Sequence, residues 1–211
     1  RCRVIHVYHG HIFHGYYGRF KTFLFLTIER ILAIFPTDIV LTISSQQSQE
    51  IKNKYKIGRA EKHRTIPYGL DFSCDNNVTL HSILGLDSSM QLIGQVGRLC
   101  EIKNHEMFIQ AARLLKDEAV QCKLVIVGDG HLRSKLETMI QELDVADTVY
   151  LIGFRDDVMS LYKDLTLISI TSINEGTPFT LIEAMYFEVP VISTMVGGVV
   201  DLMGHHAQVN A

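Results

Sequence analysis

The sequence predicts an α/β fold in which helices cover parallel sheets, and two observations support this prediction. Short apolar runs with strand character alternate along the chain with helix-like segments, an order that is typical of parallel sheets with helical crossovers. The composition, 47% hydrophobic and 20% charged in 211 residues, is that of a folded protein and excludes a disordered or collagen-like chain. This length suits one large domain or two small ones.

Residues 1–74 are predicted to form a partial domain around three strands. The strands are short and largely apolar, and we expect them at Val4–Tyr8, Asp38–Ile43 and Arg64–Pro67. An apolar helix is expected over Phe20–Phe35, because Pro36 cannot continue it. A second helix, capped by Ser44 or Ser45, is expected to run to Ile57.

Residues 75–211 are predicted to form a second domain, with the polar stretch 73–77 as the linker. Its strands are expected at Leu92–Val96, Lys123–Val127, Val149–Ile152, Leu165–Ile170 and Val189–Ser193. The helices between them are expected at Asn104–Lys116, Leu132–Leu143, Val158–Lys163 and Pro178–Phe187. No closing helix is expected at the end of the chain, so this domain is predicted to be incomplete. Since ligands of such sheets bind beyond the carboxyl ends of the strands, we expect the chemistry in the loops there.

Net charge separates the two predicted domains. Residues 1–70 carry a net charge of +7, residues 71–211 carry −10, and the whole chain carries −3. The total argues against a nucleic-acid-binding protein that relies on positive charge. The basic first part indicates an anionic partner or, alternatively, an ordinary solvated face.

Several sequence features predict a cytoplasmic protein. No apolar run is long enough to cross a bilayer, and the best candidate, Phe23–Phe35, is short and contains Glu29 and Arg30. No signal peptide precedes the first strand and no starting Met is present, so the chain is interpreted as a fragment. The cysteines are too scattered for a disulfide framework or a zinc site and are expected to be reduced thiols: Cys2, Cys74, Cys100 and Cys122.

The clearest chemical signal is the segment Glu175–Glu183, which follows the fourth strand of the second domain. Thr177 is expected to cap the helix there, and Pro178 suits its first position. The amides of Phe179 and Thr180 would then be free, and free amides at the start of a helix attract phosphate.

Two carboxylates in this segment need partners or solvent. Glu183 is the single charge within an otherwise apolar helix, and a buried carboxylate needs hydrogen-bonding partners. Sugar hydroxyls would serve, since an ionised carboxylate accepts two of them, and Glu175 lies at the same strand end. The alternative is that Glu183 pairs with a core Arg or Lys while Glu175 is solvated.

Two cations follow the first strand of the second domain. Gly97 allows a ligand to approach the backbone there. Arg98 offers a planar fork for a phosphate and Lys103 a point charge, so the pair predicts a diphosphate site. Alternatively, both are ordinary solvent-facing cations, although the start of a helix is an unfavourable place for them without an anion.

A cluster of histidines lies in and after the first strand of the chain, at His6, His9, His11 and His14. Its spacing repeats no zinc signature, so we expect hydrogen bonds to substrate and proton chemistry there, and no metal. His6 alternates with apolar neighbours and is expected to be a core residue. The Gly-Asp-Gly stretch at 128–130 lacks the third glycine of a dinucleotide fingerprint and is interpreted as a tight turn.

Together these segments resemble the retaining GT-B glycosyltransferases of family 4, and members that assemble bacterial polysaccharides and lipid-linked sugars are the most similar. The order and spacing agree across residues 90–203. The segments that carry the resemblance are Gly97–Lys103, Val125–Gly130, Ile152–Phe154, Glu175–Met185 and Pro190–Gly198. Residues 9–11 and 66–71 are similar to the end of that family's acceptor-side domain.

The resemblance implies a Rossmann-type parallel-sheet donor domain, a partial second Rossmann-like domain, and a nucleotide-diphosphate sugar as the donor substrate. It implies that Arg98 and Lys103 hold the diphosphate and that Glu183 takes the ribose hydroxyls. The other implied contacts are Glu175 and His9 at the transferred sugar, the amides of Phe179 and Thr180 at phosphate, and the backbone near Phe154 at the base. No metal and no cofactor are implied, because the cations and the helix start neutralise the charge.

We therefore expect a hexosyltransferase that moves its sugar to a hydroxyl and retains the anomeric configuration. The basic first part and the stretch Arg19-Phe20-Lys21 indicate a lipid-linked acceptor at the inner face of the membrane. The chain departs from the family in lacking its first strands, its glycine-rich loop and its last helices, so the fragment is expected to bind donor weakly and to turn over nothing. Pro178 stands where many members have Gly, which removes one amide from the phosphate site. Three alternatives stay open: a nucleotide-sugar epimerase, a non-catalytic nucleotide-sugar-binding module, and an interaction domain without a ligand.

Overall fold

The computed structural model describes residues 2–9, 13, 17–67, 69, 72 and 78–203. It divides into two compact units, and each contains one parallel sheet. The first unit comprises residues 1–70, 174–178 and 195–211, and the second comprises residues 71–173 and 179–194. The predicted α/β fold with parallel sheets is confirmed, and two short segments of the predicted second domain group with the first unit.

The sheet of the first unit has three parallel strands in the order β1-β2-β3. They are β1 (Ile5–Tyr8), β2 (Ile39–Thr42) and β3 (His63–Thr65). Helix α1 (Arg19–Ile34) joins β1 to β2, and α2 (Ser45–Gln49) follows β2, where the Ser44 hydroxyl accepts a hydrogen bond from the Gln47 amide at 3.1 Å. These elements bury a small core: Tyr8, Phe13, Ala33, Val40, Ile51, Tyr55 and Ile57.

The second helix of this unit ends earlier than the sequence predicts. Its α-helical part ends at Gln49 and is followed by a turn of π-helix over Glu50–Lys54. Lys56 and Gly58 then adopt left-handed backbone angles, with φ of 53° and 72°, and these end the helical path. The expectation of one continuous helix to Ile57 is therefore wrong in its last part.

A lysine side chain closes the carboxyl end of α1. Lys62 ends a 3-10 turn (Ala60–Lys62), and its Nζ donates to the carbonyl oxygens of Ala33, Ile34 and Thr37 at 3.0, 3.0 and 2.6 Å. A cation at this position is also favoured by the negative end of the helix dipole. The predicted helix end before Pro36 is thus stabilised from a distant part of the chain.

The sheet of the second unit has five parallel strands in the order β6-β5-β4-β7-β8. They are β4 (Gln91–Val96), β5 (Cys122–Val127), β6 (Val149–Gly153), β7 (Leu167–Ile170) and β8 (Val191–Ser193). The helices of this unit are α3 (Leu80–Leu84), α4 (His105–Asp117), α5 (Arg133–Glu142), α6 (Val158–Leu161) and α7 (Phe179–Tyr186). All of the strands predicted for residues 75–211 are present, because buried parallel strands give continuous apolar runs.

Two short helices were not expected from the sequence. Helix α3 begins after Thr79, whose hydroxyl accepts a hydrogen bond from the Ser82 amide at 3.1 Å, and it ends at Gly85 with φ of 63°. Helix α8 (Val199–Met203) follows β8 and groups with the first unit, so the expectation of no closing helix for the second domain stays a prediction. Each has five residues, which is too few for hydrophobic periodicity to reveal a helix.

Helix α1 is the longest helix in the described part of the chain, with 16 residues. Its aromatic side chains at Phe20 and Phe23 are 81% and 66% exposed. None of the helices within the described ranges has both the length and the apolarity that a membrane span requires.

Candidate functional site

The sheet of the second unit reverses its strand order at β4, which lies between β5 and β7. The chain connections leave β4 and β7 in opposite directions, so a crevice opens beyond the carboxyl ends of these two strands. Residues 97–104 follow β4 and residues 171–173 follow β7. The sheet therefore places both predicted cations, Arg98 and Lys103, at the position where α/β proteins bind ligands.

The loop after β4 packs directly against the loop after β5. A Cβ atom on Gly128 would lie 2.0 Å from the carbonyl oxygen of Gly97, and one on Gly130 would lie 2.4 Å from that of Leu99. These glycines form the tight turn expected from the sequence. Because they lack side chains, the backbone that carries Arg98 can pack closely against the end of β5.

The two predicted cations differ in their surroundings. The side chain of Arg98 is exposed, and it forms no ion pair or hydrogen bond with any residue that the structure describes. Lys103 is half-buried at the end of a 3-10 turn (Glu101–Lys103), and its stem lies 3.5 to 3.8 Å from the position of a Cβ on Gly97. Arg98 is thus available to an anion in solution, whereas the stem of Lys103 packs against Gly97.

Glu183 is half-buried on α7, and its partners lie in the same unit. The hydroxyl of the fully buried Tyr162 donates to Oε2 of Glu183 at 2.5 Å. Burial raises the pKa of Glu183 above its ordinary value, while the Tyr162 hydrogen bond and the charge of Lys103 lower it. Oε1 has no hydrogen-bond partner within the described ranges, so one carboxylate oxygen is fixed and the other can accept from a ligand.

Tyr162 is a functional candidate that the sequence did not reveal. The sequence left open whether Glu183 pairs with a core Arg or Lys, and the structure gives a tyrosine hydroxyl as its hydrogen-bond partner. Burial, followed by the charge of Glu183, raises the pKa of Tyr162 well above its ordinary value, so the hydroxyl stays a donor. The two residues are 21 positions apart, and no local pattern connects them.

The start of α7 differs from the expectation. Thr177 does not cap the helix, since its Oγ1 is buried and has no hydrogen-bond partner in the part of the chain that the structure describes. Pro178 has no N–H to offer, and the helix begins at Phe179. Instead, the Thr180 hydroxyl donates to the Val96 carbonyl at 3.3 Å, which ties the first turn of α7 to the end of β4.

Glu175 lies in a loop whose backbone is held by two glycines. A Cβ atom on Gly197 would lie 1.7 Å from the Glu175 carbonyl oxygen, and one on Gly198 would lie 1.9 Å from that of Gly176. The Gly198 amide donates to the Gly176 carbonyl at 2.8 Å. Glu175 is half-buried and groups with these glycines in the first unit. Its approach to Glu183 and the two cations stays a prediction.

His9 follows β1 in the first unit, and its side chain is exposed. The ring of His6 stacks on that of Tyr8 with centroids 4.4 Å apart, and its Nδ1 lies 3.5 Å from Oε2 of Glu29. The Tyr8 hydroxyl donates to the same oxygen at 2.6 Å. His6 is half-buried, so its prediction as a core residue is wrong, because the half-buried carboxylate of Glu29 provides its ring with a polar partner.

The predicted histidine cluster is only partly visible, because His11 and His14 lie outside the described residues, as does Cys74. Among the residues that are described, no three His, Cys, Asp or Glu side chains lie close enough to share a metal ion. Cys100 and Cys122 are free thiols, as expected.

Phe154 follows β6, the strand at one edge of the second sheet. Its ring is 72% exposed, and the preceding Gly153 has φ of 80°. An exposed aromatic ring at a strand end provides a flat apolar face for a planar ligand group.

The sequence from residue 78 onward matches a known family. Residues 78–210 match the sequence profile of the family described as Glycosyl transferases group 1. This match covers more than half of the chain and includes the loop after β4, the whole of α7 and the glycine pair after β8.

Two curated relatives illustrate the likeness. Over 115 residues the chain is 38% identical to the GalNAc-alpha-(1->4)-GalNAc-alpha-(1->3)-diNAcBac-PP-undecaprenol alpha-1,4-N-acetyl-D-galactosaminyltransferase of Campylobacter jejuni, a match that covers 53% of this chain and 32% of that protein. Over 203 residues it is 26% identical to the UDP-Gal:alpha-D-GlcNAc-diphosphoundecaprenol alpha-1,3-galactosyltransferase of Escherichia coli. This match covers 92% of this chain and 52% of that protein. The matches thus span about a third to a half of the length of these relatives.

Solved structures share the fold. HepE from Anabaena, in complex with UDP-glucose, is 25% identical and superposes with a TM-score of 0.80 over 96% of this chain and 56% of that one. WaaG, a glycosyltransferase involved in lipopolysaccharide biosynthesis, is 19% identical. It superposes with a TM-score of 0.79 over 94% of this chain and 58% of that one. These likenesses and the two parallel sheets confirm the predicted GT-B-like, Rossmann-type fold.

Proposed function

This chain belongs to the glycosyl transferases group 1, and on that premise we propose that it transfers a hexosyl group from a nucleoside-diphosphate sugar to a hydroxyl acceptor. We place it among the retaining GT-B enzymes of family 4, which keep the anomeric configuration of the transferred sugar. The observation that carries the proposal is Glu183, a half-buried carboxylate with one oxygen bound by Tyr162 and with Lys103 near enough to shift its pKa. A carboxylate and a cation beside the reversal point of the sheet suit a ligand that carries both hydroxyls and phosphates.

The donor diphosphate is assigned to the loop after β4. Arg98 is exposed and offers parallel N–H donors to a phosphate, and Lys103 adds a second positive charge. Both charges would stabilise the nucleoside diphosphate as it leaves, because its negative charge grows during the transfer. The amides of Phe179 and Thr180, at the start of α7, are proposed to contact a phosphate, and the proposal needs no metal.

The other parts of the donor are assigned to the remaining predicted residues. Oε1 of Glu183 is proposed to accept hydrogen bonds from the ribose hydroxyls, since Tyr162 already holds Oε2. The exposed ring and backbone of Phe154 are proposed to contact the base. Glu175 and His9 are proposed to contact the transferred sugar, where a carboxylate and an imidazole can orient its hydroxyls.

A lipid-linked glycan is the acceptor that we propose. The names of both curated relatives above include an undecaprenol-linked diphosphate glycan. In this chain, α1 presents the exposed rings of Phe20 and Phe23 beside Arg19 and Lys21. Aromatic rings next to cations suit the surface of an anionic bilayer, where each cation contributes about 1 kcal/mol. We therefore place the reaction at the inner face of the membrane, in bacterial polysaccharide assembly.

Thermal unfolding of the 211-residue protein with nucleoside diphosphates and their sugars tests this proposal. A ligand at about a hundred times its Kd should raise the free energy of unfolding by about 2.7 kcal/mol, which shifts the Tm by several degrees. Arg98→Ala and Glu183→Gln should lose most of the shift. Arg113→Ala should keep it, because Arg113 pairs with Asp117 on α4 at 2.6 Å.

The outcomes separate the alternatives. No shift with UDP, GDP or ADP derivatives, or the same shift in all variants, would contradict the proposed site. Conversion of the donor to its epimer without any acceptor would favour an epimerase. Donor binding by the full-length gene product without transfer to any glycan lipid would favour a non-catalytic binding module.

A further inference from the structure

Gln95 is a polar residue within the largely buried strand β4. Its side chain is 3% exposed, and Nε2 donates to the Lys103 carbonyl at 3.1 Å and to Oγ1 of Thr171 at 2.8 Å. The carbonyl can only accept, so the orientation of the amide is fixed. A buried amide costs free energy unless it is hydrogen-bonded. Both N–H groups of Gln95 are bonded, to the turn that carries Lys103 and to the end of β7, whereas its Oε1 has no hydrogen-bond partner in the described part of the chain.

Thr171 holds the same turn from the neighbouring strand. It follows β7 and is 7% exposed, and its hydroxyl lies 2.9 Å from the Asn104 carbonyl and 3.1 Å from that of Lys103. A short distance along the chain, the Ile173 amide donates to the Ile102 carbonyl at 2.8 Å. The turn is therefore attached to the ends of both strands that flank the crevice.

The turn has a conformational reason to need this support. Asn104, directly after Lys103, adopts left-handed backbone angles with φ of 49° and ψ of 50°. Such angles are uncommon for residues other than Gly, and Asn is one of the residues that adopt them most readily. Thr171 contacts the two carbonyls that flank the Cα of Asn104, those of Lys103 and of Asn104 itself, and these contacts select one backbone path.

We propose that Gln95 and Thr171 are positioning residues, which fix the backbone of Lys103 so that its ammonium group meets the donor diphosphate. The inference rests on the proposed function, because it assumes that Lys103 contacts the diphosphate. Both side chains are buried and act through the turn, without touching the ligand. We therefore expect substitutions of Gln95 or Thr171 to weaken diphosphate binding when Lys103 is present, and to have little effect on it when Lys103 is replaced.

Isothermal titration with UDP tests the inference, with GDP or ADP in its place if the melting screen favours one of them. Thr171→Val keeps the shape of the side chain and removes the hydroxyl, so we expect the Kd to rise about three- to tenfold. Thr171→Ser restores the hydroxyl and should stay within about twofold of wild type. Gln95→Leu should act in the same direction as Thr171→Val, and circular dichroism should show an unchanged fold for each variant used.

A double-mutant cycle with Lys103→Met separates positioning from a general structural effect. If Thr171 acts through Lys103, adding Thr171→Val to Lys103→Met should change the Kd by less than about twofold. The full three- to tenfold effect on that background, or wild-type affinity of the single Thr171→Val variant, would overturn the inference alone. No diphosphate binding by folded wild type would overturn the proposed function, and the inference with it.

Discussion

The sheet of the second unit has a continuous buried centre, whereas the sheet of the first unit is narrow and its long helix α1 keeps several large side chains exposed. In the second unit, the loops after β4 and β5 touch through backbone atoms, and buried side chains tie the β4 loop to the end of β7. In the first unit, the side chains of His9, Phe20 and Phe23 are exposed. The proposed diphosphate site thus lies on closely packed loops, and the proposed membrane-facing role falls to exposed side chains.

The largest loss of stability is expected from a substitution at the position where the backbone packing is closest. Gly128→Ala would place a Cβ 2.0 Å from the Gly97 carbonyl oxygen at a residue with φ of 149°. We expect a loss of about 4 kcal/mol or more in the free energy of unfolding, because neither backbone segment can move without the other. Gly18→Ala, in the first unit, has open space at the Cβ position but replaces the N-cap of α1, so it should lower stability by about 1 kcal/mol or less.

Urea unfolding of both glycine variants measures this difference. Equal stabilities for Gly128→Ala and Gly18→Ala would contradict the rigid packing of the β4 and β5 loops. A large loss in Gly18→Ala alone would reverse the comparison between the units.

A smaller change in the free energy of unfolding is expected when the pH is lowered, because a histidine in the second unit becomes protonated. His105 is 1% exposed, and neither ring nitrogen has a hydrogen-bond partner in the described part of the chain. Burial, and then the charge of Lys103, lowers the pKa of His105 from 6.5 to about 4. The unfolded state therefore takes up a proton at higher pH than the folded state, so the stabilisation is complete above about pH 6.5 and is lost as the pH falls toward 4.

The expected loss is on the order of 3 kcal/mol between pH 6.5 and pH 4. His105→Gln has no titrating ring and should lose less than wild type over this interval, in urea unfolding at matched pH values. His131→Gln removes an exposed histidine, which lies 3.0 Å from Glu101, and should follow the wild-type curve. Parallel curves for wild type and His105→Gln would show that His105 does not carry this proton linkage.

The strands were predictable because each buried strand of a parallel sheet appears in the sequence as a continuous apolar run. The buried apolar run Lys123–Val127 and the helix after Asn104 are long enough for the sequence to predict both the type of each element and its position. The five-residue helices α3 and α8, and the turn of π-helix at Glu50–Lys54, depend on caps and on single left-handed residues, which periodicity does not detect.

The residues of the candidate site carry a sequence signal where one residue type implies one chemistry, and carry none where the partner is distant. Arg98 and Lys103 lie in the loop after a strand, and Glu183 is a lone charge in an apolar helix, so the sequence marks all three as candidates. Tyr162 gave no local signal. Gln95 did give one, since an amide within a strand of apolar neighbours requires buried partners.

A crystal structure of the protein with bound UDP would test the proposed donor site. We expect the phosphates within hydrogen-bonding distance of the Arg98 guanidinium and the Lys103 ammonium, and the ribose hydroxyls on Oε1 of Glu183 with the Tyr162 contact intact. Electron density for UDP away from the ends of β4 and β7, or a ribose that does not touch Glu183, would contradict it.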